Sequence, residues 1–385
     1  MRMIPIILAA VVLGGCAAPT VKPLWSVPNL EIEKAPVIHD GIVYVQPREA
    51  NQAHLSAFAL KTGKQLWTSK FPTDEIVVIV GTRLVITDNK GQLHSLDTKT
   101  GAEIGNPEAS PILSATADGN MVYTILKDRS IVAFDGPGHV LWKASVPMSV
   151  LFHPLSAGGN VYIYGQLQDA KGLKNGCAIH AFDAKAGSLR WKFETQDCSG
   201  TEDIPFSPLA ADADAAYIRI DAATVSGKAG AVIALDAATG KQKWTSPTVQ
   251  FQPGAPILFD ASTLVIADKP SVLRGLDRST GQMKWESPTA STYNNWTTSD
   301  GLLFVADRKA HALIGTGNAT SPDSFLTVVD IRTGKELWRS ETITLGTFTT
   351  PAAADGIVVV GSLPFGDQSA TGSGLFAFRA NRAGK

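Results

Sequence analysis

A chain of 385 residues can hold two or three domains or one long repeat array, so its length alone selects neither. Lys and Arg number 34 against 35 Asp and Glu, the net charge is −1, and only 18% of residues are charged. With no basic excess to neutralise phosphates, the composition argues against a nucleic-acid binder, while a hydrophobic content of 44% supports a large core.

The chain opens with Met1-Arg2-Met3, a short basic stretch, followed by an apolar run from Ile4 to Leu13. That run is too short to span a bilayer as a mature helix, and it reads as a secretory signal. It ends in Leu13-Gly14-Gly15-Cys16, which looks like the lipobox of bacterial lipoproteins. The resemblance implies a signal peptide over 1–15, lipidation of Cys16, a lipidated linker over 16–23 and a folded domain over 24–385. Ala17-Ala18-Pro19 places no aspartate beside the cysteine. This resembles the class sorted to the outer membrane, facing the periplasm.

From Leu24 onward the chain repeats itself. "VVDIRTGKELW" ends at Trp338, "IALDAATGKQKW" at Trp244, "GLDRSTGQMKW" at Trp285 and "AFDAKAGSLRW" at Trp191. Aligned on the turn glycine, the units carry Gly63, Gly101, Gly138, Gly187, Gly240, Gly281 and Gly334, with an imperfect eighth at Gly384. A period of roughly 40–50 residues signals a propeller. A second pattern upstream of each turn, as in "APVIHDGIVYV", completes four strands per unit. The expected fold is therefore all-β: an eight-bladed β-propeller of four-stranded antiparallel blades, with seven blades as the alternative.

Within each unit, an Asp can accept backbone N–H bonds at the turn, and the glycine supplies the positive φ of a tight hairpin. The Trp that follows reads as inter-blade packing. Trp67, Trp142, Trp191, Trp244, Trp285 and Trp338 follow this rule. Trp25, in "LWSV", fits as the outer strand of the last blade, so that first strand pairs with last and closes the ring. Unit two departs, with Gly105 where Trp belongs, and its interface is expected to be the weakest.

Several units insert long connections between their second and third strands: "QDAKGLKNG", "DAATVSGKAG", "LPFGDQSATGSG" and, longest, "DRKAHALIGTGNATSPDS" from Asp307. All fall on one face, which is the candidate working surface. Cys177 and Cys198 fall there too. In an oxidising compartment they are expected to form a disulfide joining units four and five.

The repeats and the lipobox together resemble the BamB family of outer-membrane assembly lipoproteins, and more broadly propellers with pyrroloquinoline-quinone-type (PQQ) repeats. The family resemblance implies a non-catalytic scaffold that holds the β-barrel assembly machinery through an arginine-bearing loop and an acidic loop. Here "LFHPLSAGG" carries no arginine, and the acidic loop offers Glu202 and Asp203.

A second resemblance, to quinoprotein alcohol dehydrogenases, rests on "YNNWTTSDGLLFV" and "LIGTGNATSPDSF". It makes Tyr293, Trp296, Thr316 and Asn318 candidates for a partner or channel site. It also implies an alternative function with PQQ and calcium, in which Trp296 underlies the quinone and Asn318 ligates the metal. The other reading is that Trp296 plugs the channel. One asparagine is no calcium site, the seven histidines are scattered, and no hydrolase, P-loop or zincin motif occurs. No catalytic residue, cofactor or metal is therefore expected.

Overall fold

The computed structural model describes residues 18–48, 53–88, 90, 92–105, 112–135, 139–148, 150–168, 174–196, 209–220, 230–247, 249, 256–268, 272–288, 295–312, 320–344, 346–364 and 372–380. Among these, every regular element is a strand. Units three, five and six are four-stranded antiparallel sheets, running from Ile112–Asp118 to Val140–Ser145, from Leu209–Ala211 to Gln242–Thr245, and from Leu258–Phe259 to Met283–Pro288. Unit four adds a split inner strand, Val150–Leu151 and Leu155–Ala157. Units one and two share one hydrogen-bonded sheet because the 16-residue strand Gln65–Val80 is outer strand to the first and inner strand to the second.

The N-terminal strand Trp25–Pro28 pairs antiparallel with Gly374–Arg379, setting Trp25 against Ala377 and Val27 against Leu375. Before it, Thr20–Val21 lies parallel to the outer strand of unit seven, Glu336–Ser340. The stretch expected as a linker over 16–23 is thus partly built into a sheet. Two residues gain backbone partners that only a distant strand can supply.

The repeated dozen residues act between units. In unit five, Asp236 Oδ1 accepts from the Thr239 amide at 2.9 Å and from its hydroxyl at 2.7 Å. The Gly240 amide closes the turn on the Asp236 carbonyl at 2.8 Å. Gly240 has φ +69°, and a Cβ built on it would stand 2.6 Å from the Trp191 ring of unit four. The same apposition sets Gly63 on Trp25, Gly101 on Trp67, Gly187 on Trp142, Gly281 on Trp244 and Gly334 on Trp285. Each of these six indoles donates Nε1 to a carbonyl of the following unit, at 2.8–3.2 Å. Trp338 is fully buried but its Nε1 has no such partner.

The core runs between sheets. Trp142 clusters with Val161 and Phe182, Trp191 with Ile218 and Leu235, Trp244 with Leu264 and Leu276, and Trp285 with Leu303 and Val329. Trp338 packs on Val358 and Phe378 of unit eight, and Val359 and Leu375 of that unit pack on Val43 and Phe58 of unit one. Between units two and three the buried residues, among those described, are Val78, Val80 and Val85, with Ala115, Ala117 and Val122 packed against them. There Gly105, with φ +120°, stands in the Trp position. The amides of Ile112–Asp118 and Glu103–Gly105 are accordingly expected to exchange fastest among the strands in native-state hydrogen exchange. Exchange there as slow as in Lys174–Asp183 would contradict this.

The turn carboxylates also set an acid limit. Asp236 is held below its ordinary value of 3.8 by the Thr239 hydroxyl and amide, and Asp277 by Ser279 and then Thr280. Asp97 is lowered through the Thr100 hydroxyl, and Asp183 through the Ala186 amide and then Arg190. A carboxylate whose folded value is depressed stabilises the fold above its unfolded value, and this contribution is lost as pH falls through the folded value. Thermal unfolding midpoints are expected to hold down to about pH 4 and to drop below it. Asp236→Asn should weaken that dependence.

Candidate functional site

The expected working face carries, in unit seven, a β-hairpin rather than a loop. Leu302–Ala312 and Thr320–Asp330 form one unbroken antiparallel ladder that continues from Asp307↔Phe325 through Arg308↔Ser324 and Lys309↔Asp323 to Ala312↔Thr320. The second strand of unit six, by contrast, is Thr263–Ala267. At about 3.4 Å per residue, the five residues past Asp307 project the ribbon about 17 Å. Unit four does the same on a smaller scale, its ladder reaching Gln168↔Lys174.

A two-stranded ribbon is marginal alone, and this one is fastened at its root. Ser324 is fully buried. Its backbone exchanges two hydrogen bonds with Ile343, at 3.0 and 2.8 Å. Its hydroxyl donates to the Gly346 carbonyl at 2.8 Å and accepts from the Phe348 amide at 3.2 Å, which ties unit seven to unit eight. The Leu326 amide donates to Ser340 Oγ at 2.8 Å. Asp307, 2% exposed, accepts from the Thr327 hydroxyl. Across the strand, the Arg339 guanidinium lies 5.4 Å from the Phe325 ring and holds both Glu336 oxygens, at 2.5 and 2.7 Å. The Glu336 hydrogen bond, aided by the charges of Glu336 and Asp307, raises the Arg339 pKa above its ordinary value. The arm is therefore held rigidly where it leaves the sheet.

Trp296 lies in the core between two sheets. It is 4% exposed and packs with Val265, Ala267 and Leu273 of unit six and with Leu303 and Val305 of its own unit. It is a further inter-sheet aromatic, carried on an inner strand. Its neighbour Asn295 reaches unit eight, donating to the Phe348 carbonyl at 3.1 Å and accepting from the Thr350 hydroxyl at 3.2 Å.

Tyr293, Thr316, Asn318, Glu202, Asp203, Cys16 and Cys198 lie outside the described residues. Cys177 is fully buried in the third strand of unit four, opposite Thr195. No group of three or more His, Cys, Asp or Glu arranged to hold a metal occurs among the described residues.

Two polar clusters had no motif to announce them. In unit two, His94 is stacked on Phe71 with ring centroids 4.0 Å apart, between Glu103 at 3.0 Å and Asp88 at 3.4 Å. Burial raises the Asp88 pKa, but the Gln92 and Lys90 amides and His94 outweigh it, and the net shift is downward. On the turn side, a cavity of about 510 Å³ between units five and six is lined by Tyr217, Asp236, Lys243 and Arg278. Arg278 pairs with Asp212 and donates to Tyr217 Oη and to the Asp260 carbonyl, both at 2.7 Å. Burial lowers its pKa. These bonds hold Arg278 to its own two sheets, and the cluster reads as structural.

Comparisons with known proteins agree on the architecture. The family model described as outer membrane protein assembly factor BamB matches residues 16–106, 51–212 and 228–375. A protein of Burkholderia pseudomallei with that name is 25% identical over 49% of this chain and 49% of its own length. One of Nitrosomonas eutropha is 28% identical over 54% of this chain and 48% of its own length. The chain thus spans about half the length of the curated relatives it matches. The crystal structure of BamB from Moraxella catarrhalis superposes with a TM-score of 0.60 at 16% identity, covering 93% of this chain and 99% of that one. The fold is a β-propeller.

Proposed function

Because the chain belongs to the family of the outer membrane protein assembly factor BamB, we propose that it is a non-catalytic scaffold, anchored in the outer membrane through Cys16 and facing the periplasm. Its partner is a protein of the β-barrel assembly machinery, held on the face that carries the unit-seven arm. The observation that carries this reading is the arm itself. Its ladder runs from Asp307↔Phe325 to Ala312↔Thr320 beyond the sheet and is locked at the root by buried Ser324 and Asp307. A projecting ribbon with a rigid base suits capture of a protein surface.

We also read the repeat as eight blades in a closed ring. The chain of inter-sheet cores from unit one to unit eight and back to unit one supports this, as does the pairing of Trp25–Pro28 with Gly374–Arg379. In this reading Cys177 and Cys198 form a disulfide. Cys177 pairs across the ladder from Thr195, three residues before Cys198. Closing a loop of about 20 residues contributes about 3 kcal/mol. Cys198→Ser is expected to lose about that much in urea unfolding under oxidising conditions and nothing in reductant. An equal loss in both would contradict the bond.

Affinity isolation from mildly solubilised outer membranes tests the function. Components of the assembly machinery, identified by mass spectrometry, should accompany the full-length chain and be lost when residues 309–322 are replaced by a two-residue turn. Unchanged recovery with the shortened arm would overturn the assignment of the face. Adding PQQ with Ca²⁺ should give no dye reduction with alcohols, and quinone-dependent turnover would overturn the non-catalytic reading.

A further inference from the structure

The exposed large apolar side chains among the described residues are Leu24, Leu66, Ile104, Val140, Leu141, Leu189 and Met283. All stand one or two positions before an interface Trp, or before Gly105 in its place. The register explains Leu66, Ile104 and Leu141. In seven units the third-to-fourth strand ladder slips by one residue at this point, as between Ala57 and Phe58, Ser95 and Leu96, and Ala133 and Phe134. The slip is a β-bulge, and it turns the residue before the Trp out to the rim.

What that rim residue is changes sharply around the molecule. Units eight, one, two and three present the exposed Leu24, Leu66, Ile104 and Leu141, and unit seven carries Leu337, partly buried against its core beneath Thr20–Val21. Units four, five and six present Arg190, Lys243 and Lys284. The exposed Leu189 and Met283 stand directly beside two of those cations. One arc of the rim is aliphatic at this position and the opposite arc is basic.

The N-terminus is fastened to the aliphatic arc. The Pro19 carbonyl accepts from the Arg339 amide at 3.0 Å, the Val21 carbonyl from the Glu341 amide at 3.0 Å, and the Leu24 amide donates to the Ala377 carbonyl at 2.7 Å. Lys22 lies 3.7 Å from Glu341. The chain is therefore docked from Pro19 onward along units seven and eight, and only three residue steps separate Pro19 from Cys16. Fully extended, they span at most about 11 Å.

We propose that the aliphatic arc of the rim rests on the lipid surface that receives the Cys16 acyl chains, standing the propeller edge-on to the membrane. The proposal rests on the lipidation of Cys16 in the preceding reading and says what that anchor does to orientation. A tether this short keeps unit seven at the bilayer interface, so the local concentration of lipid at the adjoining rim is high and weak apolar contacts suffice. Aliphatic side chains enter that interface without leaving hydrogen-bonding groups unpaired. The rim is curved, so a flat surface meets the units beside the tether first. Leu24 and Leu66 make the strongest contacts, and units four to six point away. The arm root lies two strands inward of Thr20–Val21, about 10 Å at the usual strand spacing, which places the arm beside the membrane.

The test uses the mature, full-length chain in vesicles of phosphatidylethanolamine and phosphatidylglycerol that carry a trace of diazirine-labelled phospholipid. After irradiation, adducts are mapped by mass spectrometry. They are expected at least five times more often in peptides bearing Leu24 and Leu66 than in peptides bearing Arg190, Lys243 and Lys284. Leu24→Ser with Leu66→Ser should remove most of them while leaving the thermal midpoint unchanged, because both side chains are exposed. The mass of the N-terminal peptide separates the two claims. An unacylated Cys16 overturns the anchor and the rim proposal together. An acylated Cys16 with adducts spread evenly around the rim, or absent from it, overturns the rim proposal alone.

Discussion

Trp191→Ala is expected to cost about 3–5 kcal/mol, the range for removing a large aromatic from a core. The ring is 7% exposed, lies 5.7 Å from the Tyr162 ring, and covers Gly240 of the next unit. Most of the loss comes from the cavity and the exposed area. The Ala237 carbonyl that accepts from its Nε1 at 2.9 Å also accepts from Asn160 Nδ2 at 2.9 Å, so it keeps a partner after the substitution. Trp67 makes the equivalent bond but is only half-buried, and Trp67→Ala should cost less. Urea midpoints for the pair give the comparison. A loss at Trp191 no larger than at Trp67 would show that burial does not set the strength of these joints.

Gly240→Val should cost about 2–5 kcal/mol, for two separable reasons. A branched side chain at φ +69° resists the left-handed region by about 1–2 kcal/mol. Its Cβ would also be driven into the Trp191 ring, and overpacking costs a further 1–3 kcal/mol. Gly301 separates the two terms. It has φ +73° but nothing within 4 Å of a built Cβ, so Gly301→Val should lose the backbone part alone. Equal losses at both positions would mean that the turn glycines answer only to backbone conformation, and that the indole contact contributes nothing.

The features legible in the sequence were those written locally. Asp, Gly and Trp within nine residues specify a turn, its left-handed corner and the ring that covers the next turn, so one spacing gave the units and their joints. The missing Trp at Gly105 likewise marks an interface whose described buried residues are Val78, Val80 and Val85. Features that depend on distant partners left no such mark. Thr20–Val21 becomes a strand only because Arg339 and Ser340 present a free edge, and two residues carry no periodicity. Gly315 to Asn318 reads as loop by composition, yet the residues flanking it extend a ladder whose register is set by the sheet below, where context overrides propensity. Trp296 drew an enzyme-like interpretation from its neighbours in sequence, whereas its neighbours in space are Val265 and Leu273. His94, Asp88 and Glu103 meet through strand pairing, at spacings that match no motif.

Architecture and function meet at units seven and eight. The arm, the docked N-terminal strand and the last sheet share one core around Trp338, Phe348 and Phe378. A partner gripping the arm would therefore pull on the same sheets that hold the N-terminal strand Thr20–Val21. This arrangement can transmit load only if the first and last strands are truly knit together.

Native-state hydrogen exchange of the amides of Leu24–Val27 that face Gly374–Arg379 measures that directly. The account predicts that these few residues exchange as slowly as Gly374–Arg379, through the same global opening, although they lie at the far end of the chain. Exchange of the N-terminal segment at the rate of an unstructured peptide, with Gly374–Arg379 still protected, would contradict it.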